Sequence, residues 1–192
     1  SSDLKRTEKT LSTPMLIGII VVYLMIIQGM TAFLTAGMEV KYGELPTIEI
    51  LIRTITIPVG VSVVFAAIVI SWLGWWNRVM YEKKRLARWA WIIPAMMALS
   101  IIVVTSYSHL ATISPTLVVT LLGSVLLIGI GEELMFRGIT LEAMRSVSNT
   151  TEIKAALWAA VIFGGAHASN VFTEGSGAFL QAAVVSGTGL FF

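Results

Sequence analysis

The 192-residue sequence contains no cysteine. That absence excludes disulfides, thiolate nucleophiles and cysteine-based zinc or iron–sulfur sites together. Charge is scarce as well, at 12% of residues, about half the share of an average soluble domain. With 56% apolar residues, that scarcity excludes disorder, whose signature is low hydrophobicity and high charge. A chain of this size has too little interior to hide so much apolar surface, so most of it must face lipid. The thirteen basic residues sit beside apolar runs and leave no nucleic-acid footprint. No small-residue cleavage pattern follows the first apolar run, so no cleavable signal peptide is read. What remains is an all-α, multi-pass transmembrane helical bundle forming one membrane domain over residues 1–192.

The few charges punctuate the apolar runs. Thr13-Pro14 pairs an N-cap with a proline in the first turn, so the first span covers about Pro14 to Ala36. The gap between Arg53 and Arg78 gives a second span near Ile55 to Trp76, with Pro58 in its first turn, where it is tolerated. From Trp89 to Gly131 no charge appears for 43 residues. One helix of that length would be roughly 65 Å long, about twice the hydrocarbon thickness. The run must therefore turn back, and Ser106-Tyr107-Ser108-His109 with Ser114-Pro115 marks the place. Span three is then Trp89 to Tyr107, span four starts at Pro115, span five covers Glu152 to Ala168, and a sixth apolar segment runs from about Gly177 to Phe192. Residues 1–112 hold the N-terminal spans and 113–192 the motif-bearing core.

Eleven of the thirteen basic residues fall in three alternating regions: the N-terminus, the connection from Arg78 to Arg88, and the stretch between spans four and five. Only Lys41 and Arg53 lie on the other side. The positive-inside rule places the N-terminus in the cytoplasm of a protein embedded in the cell membrane. Trp72, Trp75, Trp76, Trp89 and Trp91 flank the basic loop as an interfacial belt.

Ionisable residues inside an apolar helix are costly and by default mark function. Here they are Glu132, Glu133 and Arg137, in a segment running from Gly131 to Gly138 that continues span four. Glu133 and Arg137 are four apart, on one helical face, and can form an ion pair. Glu132 points about 100° away and cannot share that arginine equally. A carboxylate left without such a partner in an apolar setting suits proton transfer. Glu132 is the candidate base, with Glu133 and Arg137 in support. The bland alternative is that these charges only mark the cytoplasmic end of the helix.

A second motif weighs against that alternative. Span five contains Phe163-Gly-Gly-Ala-His167, followed by Asn170. Ser148 to Thr151 reads as the turn of a helical hairpin, where Asn149 with Glu152 resembles a capping box. Glu132 and His167 are equidistant from that turn, so folding the hairpin there brings both to the same height, roughly 25 Å away at 1.5 Å per residue. Ala156, Ala160, Gly164 and Ala168 form a small-residue stripe that permits close helix approach. Such a pair could activate a water for hydrolysis. It could also relay protons or ions, although no inverted repeat accompanies it. His109 has no comparable partner and reads as an interface residue. No HExxH spacing is present, so a strong zinc signature is missing.

Glu132-Glu133-x-x-x-Arg137, followed some thirty residues later by Phe163-x-x-x-His167, resembles the first two motifs of the CAAX-processing and bacteriocin-self-immunity (Abi) family. Its members include the type II CAAX prenyl endopeptidases. The resemblance covers about Pro115 to Phe192. It implies an intramembrane protease with a cavity facing the cytoplasm, cleaving a membrane-associated peptide or protein. In that family the first Glu and the His, here Glu132 and His167, activate the attacking water, and Arg137 orients the Glu pair. The resemblance leaves open a divalent metal, zinc held by Glu132 and His167, or a metal-free glutamate mechanism. It also leaves open a non-proteolytic module serving bacteriocin immunity or partner binding. The family's third motif, a His with Asn or Asp four residues later, lies beyond Phe192. Either the natural chain is longer or the protein is non-catalytic, and a stop inside an apolar segment favours the former.

Overall fold

The structure, a computed structural model, describes residues 9–38, 47–81, 113–147 and 150–168, together with Ile92, Ala95, Leu99, Ala182, Ala183 and Ser186. Among these residues there are helices and no strand. The described residues include five continuous helices, in chain order α1 (Thr13–Leu34), α2 (Ile48–Leu73), α3 (Trp76–Met80), α4 (Pro115–Arg145) and α5 (Glu152–Ala168). Three of them, α1, α2 and α4, are long and apolar enough to cross a membrane. The third expected span and the sixth lie outside the described residues except for the single positions named, as do Trp89, Trp91, His109, Asn149 and Asn170.

Local chemistry fixes the helix starts. Ser12 precedes α1 in an extended conformation and Pro14 follows in the first turn, where a missing N–H costs nothing. Ser114 caps α4, its hydroxyl accepting from Leu117 N at 3.2 Å ahead of Pro115. Helix α5 has the expected bounds, but Thr151 performs the capping there, accepting from Lys154 N at 3.3 Å.

The second span starts earlier than its charge gap indicates. Thr47 caps α2 by accepting from Ile50 N, so the helix opens at Ile48 and takes Glu49 and Arg53 into its first turns. Arg53 is tolerated because it is doubly occupied. It pairs with Glu49 at 2.7 Å and donates to Leu34 O at 3.1 Å. The latter bond satisfies one of the carbonyls left open at the end of α1. Gly74, at φ 76°, stops α2, with the N–H groups of Gly74 and Trp75 both donating to Ile70 O. Only glycine holds that left-handed conformation without a penalty.

Helices α1, α2 and α4 pack around a core of Leu16, Tyr23, Ala66, Ile70, Leu73, Met135 and Ile139. Thr31 donates to Thr54 O across α1 and α2, and Thr56 shares a hydrogen bond with Ser124 across α2 and α4. Polar side chains of this kind join helices where lipid offers no hydrophobic drive. Val64, Ile68, Val119, Leu122 and Leu126 stay exposed on the outer faces. Apolar surface on that scale needs lipid contact. The chain is a membrane protein with several apolar helices.

One end of the bundle gathers the basic residues. Lys9 N donates to Leu73 O, its ammonium stands 4.1 Å from the Trp72 ring, and its carbonyl accepts from Trp75 Nε1 at 3.0 Å. Arg78 lies over the Trp75 ring. Trp75 is therefore no belt residue: it is buried (1% exposed) as a pin between the N-terminal strap and the end of α2, whereas Trp72 and Trp76 stay exposed as an interfacial belt requires.

Candidate active site

The site lies between α4 and α5. Glu132 closes the α-helical part of α4, and Glu133 opens a π-helical stretch that runs to Leu141. Within it, Thr140 Oγ1 donates to Met135 O, five residues back, matching the i→i+5 ladder of a π-helix. Such windings recur at functional sites. This one buries Met135, Phe136, Ile139 and Thr140 and leaves Glu133 and Arg137 at the surface of a cavity. Gly138 makes the winding fit, since a Cβ there would lie 3.0 Å from Val79 of α3.

The hairpin returns α5 alongside. Leu141, Ala155 and Ala159 are buried together with Met144 against them, and Ala160 and Gly164 of the expected stripe are buried as well. Ala156 and Ala160 line the cavity. Gly164 meets a different neighbour: a Cβ there would collide with Ser186 Oγ and lie 2.7 Å from Ala182 O. Ala182 and Ser186 therefore lie against α5 at Gly164. Arg145 closes the hairpin by pairing with Glu142 and, at 3.0 Å, with Glu152.

Folding at that turn brings His167 Nε2 to 3.5 Å from Glu132 Oε1. Both side chains line a cavity of about 620 Å³ that continues past Glu133 and Arg137 to Arg145 and Glu152. Arg137 Nε pairs with Glu133 Oε2 at 3.2 Å. All four residues singled out in the sequence thus meet in one place, with the arginine on the second glutamate. Glu132 is half-buried in the cavity wall and not sealed in the core.

The imidazole is held from behind. His167 Nδ1 lies 3.1 Å from Phe163 O, and a carbonyl can only accept, so Nδ1 carries the proton. In the neutral ring Nε2 is then an acceptor directed at a carboxylate, which also accepts. Phe163 further packs edge-on to the His167 ring at 4.7 Å and against Phe136 at 4.8 Å. The orientation of the ring is set by α5 itself.

Among the described residues no group of three or more His, Asp and Glu side chains is arranged to hold a metal.

Sequence reasoning missed Tyr23. This α1 residue is buried, and a Cβ at Gly131, the residue before Glu132, would lie 3.0 Å from its hydroxyl. Its ring stands edge-on to Phe136, with centroids 6.1 Å apart. The only available signal was a polar group inside an apolar span.

Residues 114–192 match the family described as type II CAAX prenyl endopeptidase Rce1-like. No curated protein and no solved structure matches the chain. Both motifs, Glu132-Glu133-x-x-x-Arg137 and Phe163-x-x-x-His167, fall inside the matched stretch. Over that stretch the chain is similar to the type II CAAX prenyl endopeptidase-like proteins of the CAAX-processing family.

Proposed function

We propose that the protein is an intramembrane endopeptidase that hydrolyses a peptide bond of a membrane-associated peptide or protein, with water activated by Glu132 and His167. The observation that carries this reading is the approach of His167 Nε2 to Glu132 Oε1, 3.5 Å apart, two acceptors when the ring is neutral. A water resting against both can donate one hydrogen to each, which leaves its oxygen lone pairs aimed into the cavity. Glu132 takes the proton as hydroxide adds to the scissile carbonyl carbon. When the C–N bond breaks, that proton passes to the leaving amine, and His167 holds the proton it shares in transit. Arg137 keeps Glu133 engaged, so that Glu132 alone serves as base.

The basic end of the bundle, with Lys9, Arg78 and Arg145, is the cytoplasmic end on this reading. Arg145 and Glu152 line the cavity at that end, which on this reading gives substrate a cytoplasmic approach at the cell membrane. A partner-binding or immunity module could use the same cavity without chemistry. The two acceptors converging on one point favour hydrolysis, because partner binding alone requires no such convergence.

The test is to incubate the full chain in detergent with membrane-anchored peptides and to identify products by mass spectrometry. Two fragments summing to substrate plus one water are expected. Intact peptide, bound but uncleaved, would favour the non-proteolytic module.

A further inference from the structure

We propose that the end of the bundle opposite Lys9 carries a phospholipid site, where a zwitterionic headgroup with a primary amine sets its phosphate on Arg53 and its ammonium on Glu49. The inference is independent of the hydrolytic reading. A cavity of about 660 Å³ lies where α1 ends and α2 begins, lined by Leu34, Ile48, Glu49, Ile52, Arg53 and Ile57. Its size is that of a small-molecule site. The walls are apolar apart from the ion pair of Arg53 with Glu49, at 2.7 Å. Helix α2 is long and apolar enough to cross a membrane from Ile48 onward, so its first turns stand where hydrocarbon gives way to headgroups. An apolar recess beside two opposite charges at that level matches a lipid, with an acyl chain in the recess and the headgroup on the pair.

The backbone holds the guanidinium at that recess. Helix α2 is π-helical from Ile52 to Thr56, and Thr56 Oγ1 donates to Leu51 O, five residues back, as Thr140 does beside the candidate active site. Such windings recur at functional sites, and both of these line a cavity. A snorkelling arginine extends into water. Arg53 is instead turned across to α1, donating through Nη1 to Leu34 O at 3.1 Å and through Nη2 to Glu49. Among the described residues those bonds use two of its five N–H donors, which leaves three for a phosphate. The pair itself is open to the surroundings, with side chains 43% and 61% exposed, so its charges can be shared with a ligand. Headgroup chemistry follows from the two signs. Glu49 repels a purely anionic headgroup. A quaternary ammonium has no N–H to give the carboxylate, whereas a primary ammonium has three.

The test is native mass spectrometry of the full chain in detergent, with dioleoyl phosphatidylethanolamine, phosphatidylcholine or phosphatidylglycerol added at equal concentration. The wild type is expected to retain phosphatidylethanolamine about tenfold more tightly than either of the others, the scale of one hydrogen bond to a charged group. Glu49→Gln removes the anion and leaves the donation from Arg53 to Leu34 O available. It should erase the preference over phosphatidylcholine. Arg53→Gln should weaken retention of phosphatidylethanolamine and phosphatidylcholine alike. Because Arg53 also joins α1 to α2, Ile57→Trp supplies a second route: it fills the recess, keeps the ion pair and should weaken retention as well. Equal retention of the three lipids by the wild type, or a preference for phosphatidylglycerol, would overturn the proposal. So would a preference for phosphatidylethanolamine that survives both Glu49→Gln and Ile57→Trp. A doubled mass in lipid-free wild type that Ile57→Trp abolishes would overturn it in favour of a second copy of the chain.

Discussion

His167 on α5 and Glu132 on α4 face each other across a helical hairpin, Nε2 to Oε1 at 3.5 Å, with the far nitrogen of the ring held on Phe163 O at 3.1 Å. The backbone of α5 thereby sets which nitrogen addresses the carboxylate. This is the kind of support that turns a chance contact into a site, because ring orientation and tautomer are fixed before substrate arrives.

The first prediction concerns two adjacent glycines. A Cβ at Gly164 would meet Ser186 and the Ala182 carbonyl, and backbone cannot rotate away. Gly164→Ala should cost about 1–3 kcal/mol, the usual scale of overpacking. Among the described residues nothing lies within 4 Å of such a Cβ at Gly165, so Gly165→Ala should be neutral or stabilising by up to about 1 kcal/mol from helix propensity. Thermal unfolding of both variants in detergent checks the contrast.

A second prediction concerns the mouth of the hairpin. Arg145 holds Glu142 and Glu152 at once, and the Glu152 side is exposed. Arg145→Ala should therefore lower stability by only about 1 kcal/mol. The hairpin should open more readily near the turn, and hydrogen exchange at Lys154 and Ala155 should accelerate before that of Phe163.

The third prediction separates the two glutamates. Arg137 and Glu133 are both partly exposed, so the pair adds little to stability. Arg137→Met leaves Glu133 beside Glu132 without its cation. Cleavage should fall about tenfold, equivalent to about 1.4 kcal/mol in the barrier, while unfolding stays nearly unchanged. Arg137→Lys should restore part of the rate.

How much of this was legible in the sequence depends on the range of each interaction. Thr13-Pro14 and Ser114-Pro115 announced their helices because capping is local. Glu133 and Arg137 followed from helical spacing, and Glu132 with His167 from a hairpin whose turn lies midway between them. The start of α2 did not follow, since Arg53 inside a helix is explained only by its bond to Leu34 O on another one. Trp75 was misplaced for the same reason: its burial depends on the Lys9 carbonyl. Tyr23 packs against Gly131 and Phe136, contacts between helices that no local pattern encodes. The π-helical winding of Glu133–Leu141 is likewise unmarked, because its apolar spacing reads equally well as an α-helix.

The central claim is that Glu132 is the base and His167 its partner. The most direct measurement is the rate of peptide cleavage by the full chain, wild type against Glu132→Gln and His167→Ala, each shown to unfold at the wild-type temperature. The account predicts a loss of about 10²- to 10⁴-fold for each variant, the range of general acid–base catalysis. Cleavage by Glu132→Gln at the wild-type rate would contradict it.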